Sequence, residues 1–393
     1  MGSNITIAPA VALFCHVIDN YGDIGVCWRL ARQLAAEHGL QVYILVDDLQ
    51  IFRKICPAVD TTASVQHVDG VEIIAWGTTS VPARATDVSL VIEAFGCNLP
   101  NDFLEAFARR IPVPVWINLE YLSAESWVED FHATASPHPL LPLTKHFYFP
   151  GFNDRTGGLI REAWLISRRD GFQRQLKANA TRHCNNVNGG NASPQVRLLV
   201  SVFCYPNAPL LELFKAMEND ISQVFCLIPE GVASEKVAAY LGTSARAGAT
   251  KQVGNLTVEV IALTNQDDYD KLLWTCDLNF VRGEDSFVRA QWAARPAIWH
   301  IYAQPDDAHW PKLQAFLDRY VEAASATLQP LLQHLYHAWN GSGHIATAWK
   351  NWRTASFDTD ASRWENHATV WASKLADDAD LATRLLQYAK KLG

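Results

Sequence analysis

Two aspartates four residues apart, Asp19 and Asp23, stand in the segment FCHVIDNYGDIGVCWRL from Phe14 to Leu30. Carboxylates on one short turn can grip a cation through both groups, or remove a proton from a bound nucleophile. A second cluster, Arg282, Gly283, Glu284, Asp285 and Ser286, lies in DLNFVRGEDSFVRAQW from Asp277 to Trp292. Here an apolar run ends in an arginine, and a Ser or Asp is placed to cap the helix that follows. Backbone N–H groups behind such a cap, with the helix dipole, favour a phosphate. Arg282 and Arg289 can add charge-assisted bonds to the same group. One cluster suits a cation and the other an anion. The plainer alternatives are an Asx turn at Asp19 and an ordinary capped helix with solvated charges at 284–286.

The elements around the first cluster read as a buried strand from Ala10 to Ile18, a turn carrying both acids, and a helix from about Gly25. That helix carries apolar and aromatic residues at Val26, Trp28, Leu30 and Leu34. In an α/β sheet the loop after the first strand opens where ligands sit. A dinucleotide binder keeps this loop glycine-rich and uncharged, because the helix N-terminus receives a pyrophosphate. Asp19 and Asp23 would repel it, and Gly22 and Gly25 alone do not make G-x-G-x-x-G. Asp47 and Asp48 do stand about where a ribose-binding acid belongs, which keeps an NAD(P)-dependent oxidoreductase among the rivals.

Strands are expected near 10–18, 41–46, 71–76, 87–93 and 113–118, with helices near 25–38, 48–56 and 101–110. This alternation implies βαβ units and a parallel sheet. The run CNNVNGGNASP at 184–194 reads as a linker. After it, strands fit 196–203, 223–228, 256–263, 277–281 and 297–301, with helices near 207–218, 233–241, 267–275 and 286–294. The expected architecture is two facing Rossmann-like domains, 1–184 and 195–359, with helices of about 360–393 crossing back to the first. Trp349, Trp352, Trp364, Trp371 and Leu375 stand at helical spacing and read as packing stripes.

The chain has 393 residues, 49% apolar and 19% charged, an ordinary globular balance that favours two domains. A net charge of −8 argues against nucleic-acid binding. No run reaches the roughly 18 apolar residues of a membrane span. The eight cysteines are scattered without a CxxC or Cys/His cluster, as free thiols in a cytoplasmic protein would be. The Asp-x-Asp strings at 268–270, 358–360 and 378–380 read as solvated faces, and no metal or cofactor is expected. His16, His138, His146 and His300 show no partner and are given structural roles.

Acids in one domain and a phosphate cradle in the other suggest a GT-B glycosyltransferase acting on a nucleotide sugar. IDNYGDIG at 18–25, GGLIRE at 157–162 and VRGEDSFVRAQ at 281–291 resemble the EarP family, the protein-arginine rhamnosyltransferases of translation elongation factor P. NLEYLSAES at 118–126 and WHIYAQ at 299–304 are similar to its members as well. The resemblance implies inverting transfer of L-rhamnose from dTDP-β-L-rhamnose to an arginine of elongation factor P. It implies Asp23 as general base, with Asp19 and Glu284 supporting catalysis. Asn20, Tyr21 and Gly22 would line the acidic loop, and Arg282, Gly283, Asp285, Ser286 and Tyr302 the diphosphate site. Phe203, Tyr205 and Gln266 would line the nucleoside pocket. One departure stands out: the family carries a thymine-stacking Phe about three residues before the Gln, and this chain has Leu263. Either Leu263 offers a flat apolar wall or another aromatic stacks. Glu120, Tyr121 and Glu125 are candidates for the acceptor contact or for loop-surface roles. The remaining rivals are a GT-B enzyme with a different nucleotide sugar, one with a small-molecule acceptor, and a nucleotide-binding adaptor without catalysis.

Overall fold

Continuous apolar runs flanked by amphipathic helices build two parallel-stranded units in the computed structural model, which describes residues 10–19, 21–77, 83–187, 197–355 and 361–393. The first unit comprises residues 1–163 with 378–393, and the second 164–377.

In the first unit, β1 (Ala10–Cys15) leads into α1 (Tyr21–His38), and β2 (Gln41–Val46) into α2 (Leu49–Ile55). A hairpin of β3 (Val65–Val68) and β4 (Val71–Ala75) follows, then α3 (Ala83–Thr86), β5 (Leu90–Ala94) and α4 (Asn101–Ala108). β6 (Val115–Leu119), α5 (Trp127–Phe131), β7 (Ala135–Pro137) and β8 (Thr144–Tyr148) complete it. The sheet order is β3-β4-β2-β1-β5-β6-β8-β7. Every residue of β1 is buried, as expected of a central parallel strand covered on both faces. Phe14, Phe103, Phe107 and Leu45 share one core cluster. β4 is the strand expected near 71–76, whereas its partner β3 is absent from the expected strands; the hairpin turns on Asp69 and Gly70, both at positive φ. Asp-Gly is the pair that such a two-residue turn favours.

The second unit starts with α6 (Leu165–Val187), then β9 (Arg197–Val202), α7 (Leu210–Glu218), β10 (Gln223–Pro229) and α8 (Ser234–Leu241). β11 (Thr250–Val253), β12 (Leu256–Ile261), α9 (Gln266–Thr275), β13 (Leu278–Arg282), α10 (Asp285–Ala293) and β14 (Ala297–His300) follow. Its sheet runs β11-β12-β10-β9-β13-β14. Four helices close the unit: α11 (His309–Val321), α12 (Leu328–Trp339), α13 (Ile345–Ala355) and α14 (Ala361–Ala376). Trp349, Trp352, Trp364, Trp371 and Leu375 are all buried. They are core, and Trp352 meets Trp349 and Trp364 edge-on.

The division differs from the sequence boundaries at 184 and 360. α6 belongs to the second unit, where Arg169 donates to the Trp292 carbonyl at 2.9 Å and Phe172 packs on Trp274. The expected linker begins inside α6, and its residues from 188 lie outside the described ones. Of the C-terminal helices only α15 (Leu381–Leu392) joins the first unit. GGLIRE is its dock. The Leu381 N–H donates to the Leu159 carbonyl at 2.9 Å, and Arg161 to the Asp378 carbonyl at 2.9 Å. A Cβ on Gly158, which has φ +75°, would meet the Ala379 carbonyl oxygen at 2.9 Å.

Candidate active site

In the first unit, helix α1 begins at Tyr21, four residues earlier than the sequence suggested, so Asp23 lies in its first turn. The reason is the Asp23 side chain. Its Oδ2 accepts the N–H groups of Ile18 and Asp19, each at 2.8 Å. An acid at the third helical position thus reaches back over the helix start, as in a capping box. Oδ1 accepts the Tyr121 hydroxyl at 3.1 Å. Asp23 is 1% exposed, and three donors fix its carboxylate in one orientation. Asp19 is half-buried. A Cβ on Gly22 would meet the Asp19 Oδ2 at 2.8 Å, so the first acid folds over a residue that must stay small. Tyr21 stands beside them at the helix start, and Asn20 lies outside the described residues.

The loop after β6 supplies Tyr121, which stacks on Phe95 with centroids 4.3 Å apart and planes 13° apart. Glu120 is held by the Asn118 amide, and burial pushes its carboxyl up from the ordinary range, against that hydrogen bond. The Glu125 carboxylate accepts from Ser123 at 2.8 Å. Asp47 is turned away from any ribose role. It pairs with His16 and accepts the Val17 N–H at 2.9 Å. His16 therefore has a partner, as do His138, which accepts the Leu141 N–H, and His146, which meets the Tyr388 hydroxyl.

In the second unit, β13 ends at Arg282, and Gly283 takes the left-handed conformation at φ +60°. The Trp299 indole N–H donates to the Gly283 carbonyl at 2.9 Å. The cap differs from expectation. Glu284 is the capping residue without a side-chain cap bond, and the helix starts at Asp285. The Ser286 hydroxyl instead accepts the Arg282 N–H at 3.1 Å and donates to the Arg282 carbonyl. That closes the loop on itself and occupies the serine hydroxyl within it.

The Arg282 guanidinium lies 4.7 Å from the Phe203 ring and 4.6 Å from the Tyr205 ring. Tyr302, 51% exposed, meets Tyr205 edge-on at 5.4 Å. Gln266, buried at the start of α9, donates to Asp285 at 3.2 Å. Leu263 is half-buried in the loop between β12 and α9. His300 accepts the Tyr205 N–H at 3.2 Å. Burial, then the charges of Arg282 and Lys236, push His300 down to about 3, so its ring stays neutral at physiological pH. Lys236 on α8 is a second cation beside this cluster that sequence reasoning missed, because nothing in SEKVAAYL marks it.

Arg289, which the sequence offered as a phosphate contact, is engaged inside the unit. It is 1% exposed and binds Asp270 through two nitrogens, at 3.0 and 2.6 Å. Asp270, expected on a solvated face, is equally buried. No group of three or more His, Cys, Asp or Glu able to hold a metal occurs among the described residues. No described helix is long and apolar enough to cross a membrane.

Residues 11–390 match the model of the EarP family, described as the elongation factor P (EF-P) rhamnosyltransferase EarP. The chain is 45% identical over 380 residues to a protein-arginine rhamnosyltransferase of Pseudomonas putida, covering 96% of this chain and 97% of that protein. Its identity to the Pseudomonas aeruginosa protein of the same name is 44% over 377 residues, with the same coverage. A solved structure described as the basis for EarP-mediated arginine glycosylation of elongation factor EF-P superposes with a TM-score of 0.64. It is 34% identical and covers 97% of this chain and 99% of that one. A glycosyltransferase from Rickettsia africae, TM-score 0.51 and 10% identical over 98% of each chain, shares the fold alone. The fold class is GT-B.

Proposed function

The chain belongs to the EarP family of elongation factor P rhamnosyltransferases, and on that premise we propose that it moves L-rhamnose from dTDP-β-L-rhamnose to one arginine of elongation factor P. Its activity is that of a protein-arginine rhamnosyltransferase. Inversion at the anomeric carbon, independence of metal, and a cytoplasmic site of action belong to the proposal. The observation that carries it is the span of the family match, which includes both the acidic turn and the arginine loop.

The acids answer a specific difficulty. Arginine has a pKa above about 12, so a free neutral guanidine at pH 7 costs roughly 7–9 kcal/mol. A carboxylate cannot supply that in a prior equilibrium. Asp19 and Asp23 instead bind the guanidinium and aim one nitrogen at the sugar. That nitrogen attacks C1 as the C1–O bond to the diphosphate breaks, its electron pair leaving on the phosphate oxygen. The nitrogen's basicity falls as the C–N bond forms, and Asp23 takes the proton. A carboxylate already fixed by three donors needs no reorientation at that moment.

The leaving dTDP is held in the second unit. Arg282, the backbone of Gly283, Asp285 and Ser286 at the α10 N-terminus, and Tyr302 take the diphosphate. Phe203, Tyr205, Leu263 and Gln266 line the nucleoside site, and Glu284 orients the sugar. An adaptor or an oxidoreductase would have no use for two acids at a helix start, and Asp47 is engaged with His16.

Mass spectrometry of purified elongation factor P, after incubation with this protein and dTDP-β-L-rhamnose, tests the reading. The expected result is a gain of one deoxyhexose residue on a single arginine-containing peptide. An unmodified acceptor would overturn it, as would a thermal shift with NAD or NADP but none with dTDP.

A further inference from the structure

The hydrogen bonds around Asp23 leave little choice about where a proton can go. Oδ2 receives two backbone N–H groups, which occupy both of its acceptor directions. Oδ1 receives the Tyr121 hydroxyl at 3.1 Å, leaving one direction among the described residues. The position of the tyrosine thus decides the edge from which a proton reaches Asp23.

The Tyr121 ring is itself held in place. It lies flat on Phe95, whose backbone adopts φ +57°, a conformation phenylalanine seldom takes. The Phe95 N–H donates to the Leu119 carbonyl at 2.7 Å, tying the ring pair to the end of β6. Asp23 is almost fully buried, whereas Tyr121 keeps 38% of its surface open. The hydrogen bond therefore joins the buried acid to a partly exposed ring. Guanidinium planes stack on such rings.

We propose that Tyr121 is a further site residue with two separable tasks: its hydroxyl positions the Asp23 carboxylate, and its ring receives the guanidinium of the acceptor arginine. The inference rests on the reading of arginine as acceptor.

Steady-state kinetics with elongation factor P separate the tasks. Tyr121→Phe keeps the ring and loses the hydroxyl. It is expected to lower kcat about tenfold, with KM for the acceptor within about twofold of the parent. Tyr121→Leu loses both and is expected to raise that KM about fivefold further. KM for dTDP-β-L-rhamnose is expected to be the same in all three, a pattern that a merely structural role would not give. A parental kcat in Tyr121→Phe overturns the hydroxyl's task. Equal acceptor KM values in the two variants overturn the ring's task, and Phe95→Leu, which removes the stacking partner from beneath an intact Tyr121, checks it independently by the same rise in KM. A parent protein inactive on elongation factor P overturns the functional reading itself, a result distinct from active parent and unchanged variants.

Discussion

The backbone N–H of Asp19 and the Oδ2 of Asp23 lie 2.8 Å apart, so one acid of the pair is anchored by the other. Asp23 closes the start of α1 while keeping Oδ1 toward Tyr121. The side chain that closes the helix start is the one proposed to accept the proton.

Asp23→Asn tests the proton-acceptor task. The amide oxygen can still accept from Ile18 and Asp19, so the helix start survives. Transfer to elongation factor P is expected to fall at least about 100-fold, with dTDP affinity within about threefold of the parent. Rapid-quench turnover under saturating donor measures it, and near-parental turnover would remove Asp23 from the mechanism.

Arg289 serves stability, not the phosphate. It forms a bidentate pair with Asp270 inside the second unit. Removing one partner of a buried pair leaves an uncompensated charge, so Arg289→Ala is expected to lose about 3–5 kcal/mol of unfolding free energy. Urea titration reads this directly. An unchanged midpoint with abolished nucleotide binding would return Arg289 to the anion site.

Among the bonds that fasten the C-terminal helix, those of Arg384 reach two carbonyls at once. Arg384 donates to the carbonyls of Asn153 and Thr156 at 2.9 and 2.8 Å and pairs with Asp378 at 2.8 Å. Arg384→Ala is expected to destabilise the first unit by about 2–3 kcal/mol. Hydrogen exchange should show faster exchange at the Leu381 N–H, which is bonded to Leu159; unaltered protection there would refute the dock.

A half-buried histidine, His132, and a buried one, His300, impose a pH dependence on stability. Burial, with the nearby charge of Arg384, lowers His132 to about 4 from an ordinary 6.5, and His300 falls to about 3. The unfolded chain binds more protons than the folded one between those values and 6.5, so their contribution declines as pH falls through that window. Asp277 and Glu120, both raised by burial, act in the opposite sense. The test is therefore the difference between the parent and His132→Gln in urea midpoint, from about pH 7 to about pH 4.5. The parent should lose stability more steeply; parallel curves would contradict the assignment.

Much of this was readable from residue order. The alternation of buried runs and amphipathic helices gives both sheets, because central parallel strands must be apolar on both faces. The RGEDS string was legible as a turn into a helix, since a glycine at positive φ and acids at a helix start are local features. Pairings made at a distance were not legible. Nothing adjacent to Arg289 announces Asp270, nineteen residues earlier, and nothing near Tyr121 announces Asp23, 98 residues earlier. The start of α1 was misplaced because Gly22 and Asp23 are poor helix formers. Their use as a cap appears only once the Ile18 and Asp19 amides are in place. β4 was legible as a buried apolar run, but its edge partner β3 is four residues long and half-exposed, which obscured the Asp69-Gly70 hairpin.

In the proposed mechanism, acids of the first unit serve the acceptor, and Arg282 with the α10 N-terminus serves the leaving nucleotide. Calorimetric titration of dTDP into the parent, Asp23→Asn and Arg282→Ala tests that division most directly. Binding at least about tenfold weaker is expected for Arg282→Ala, the scale of one lost charge-assisted contact, with near-parental binding for Asp23→Asn. Parental affinity in Arg282→Ala together with lost affinity in Asp23→Asn would place the phosphates at the first unit's acidic turn and contradict it.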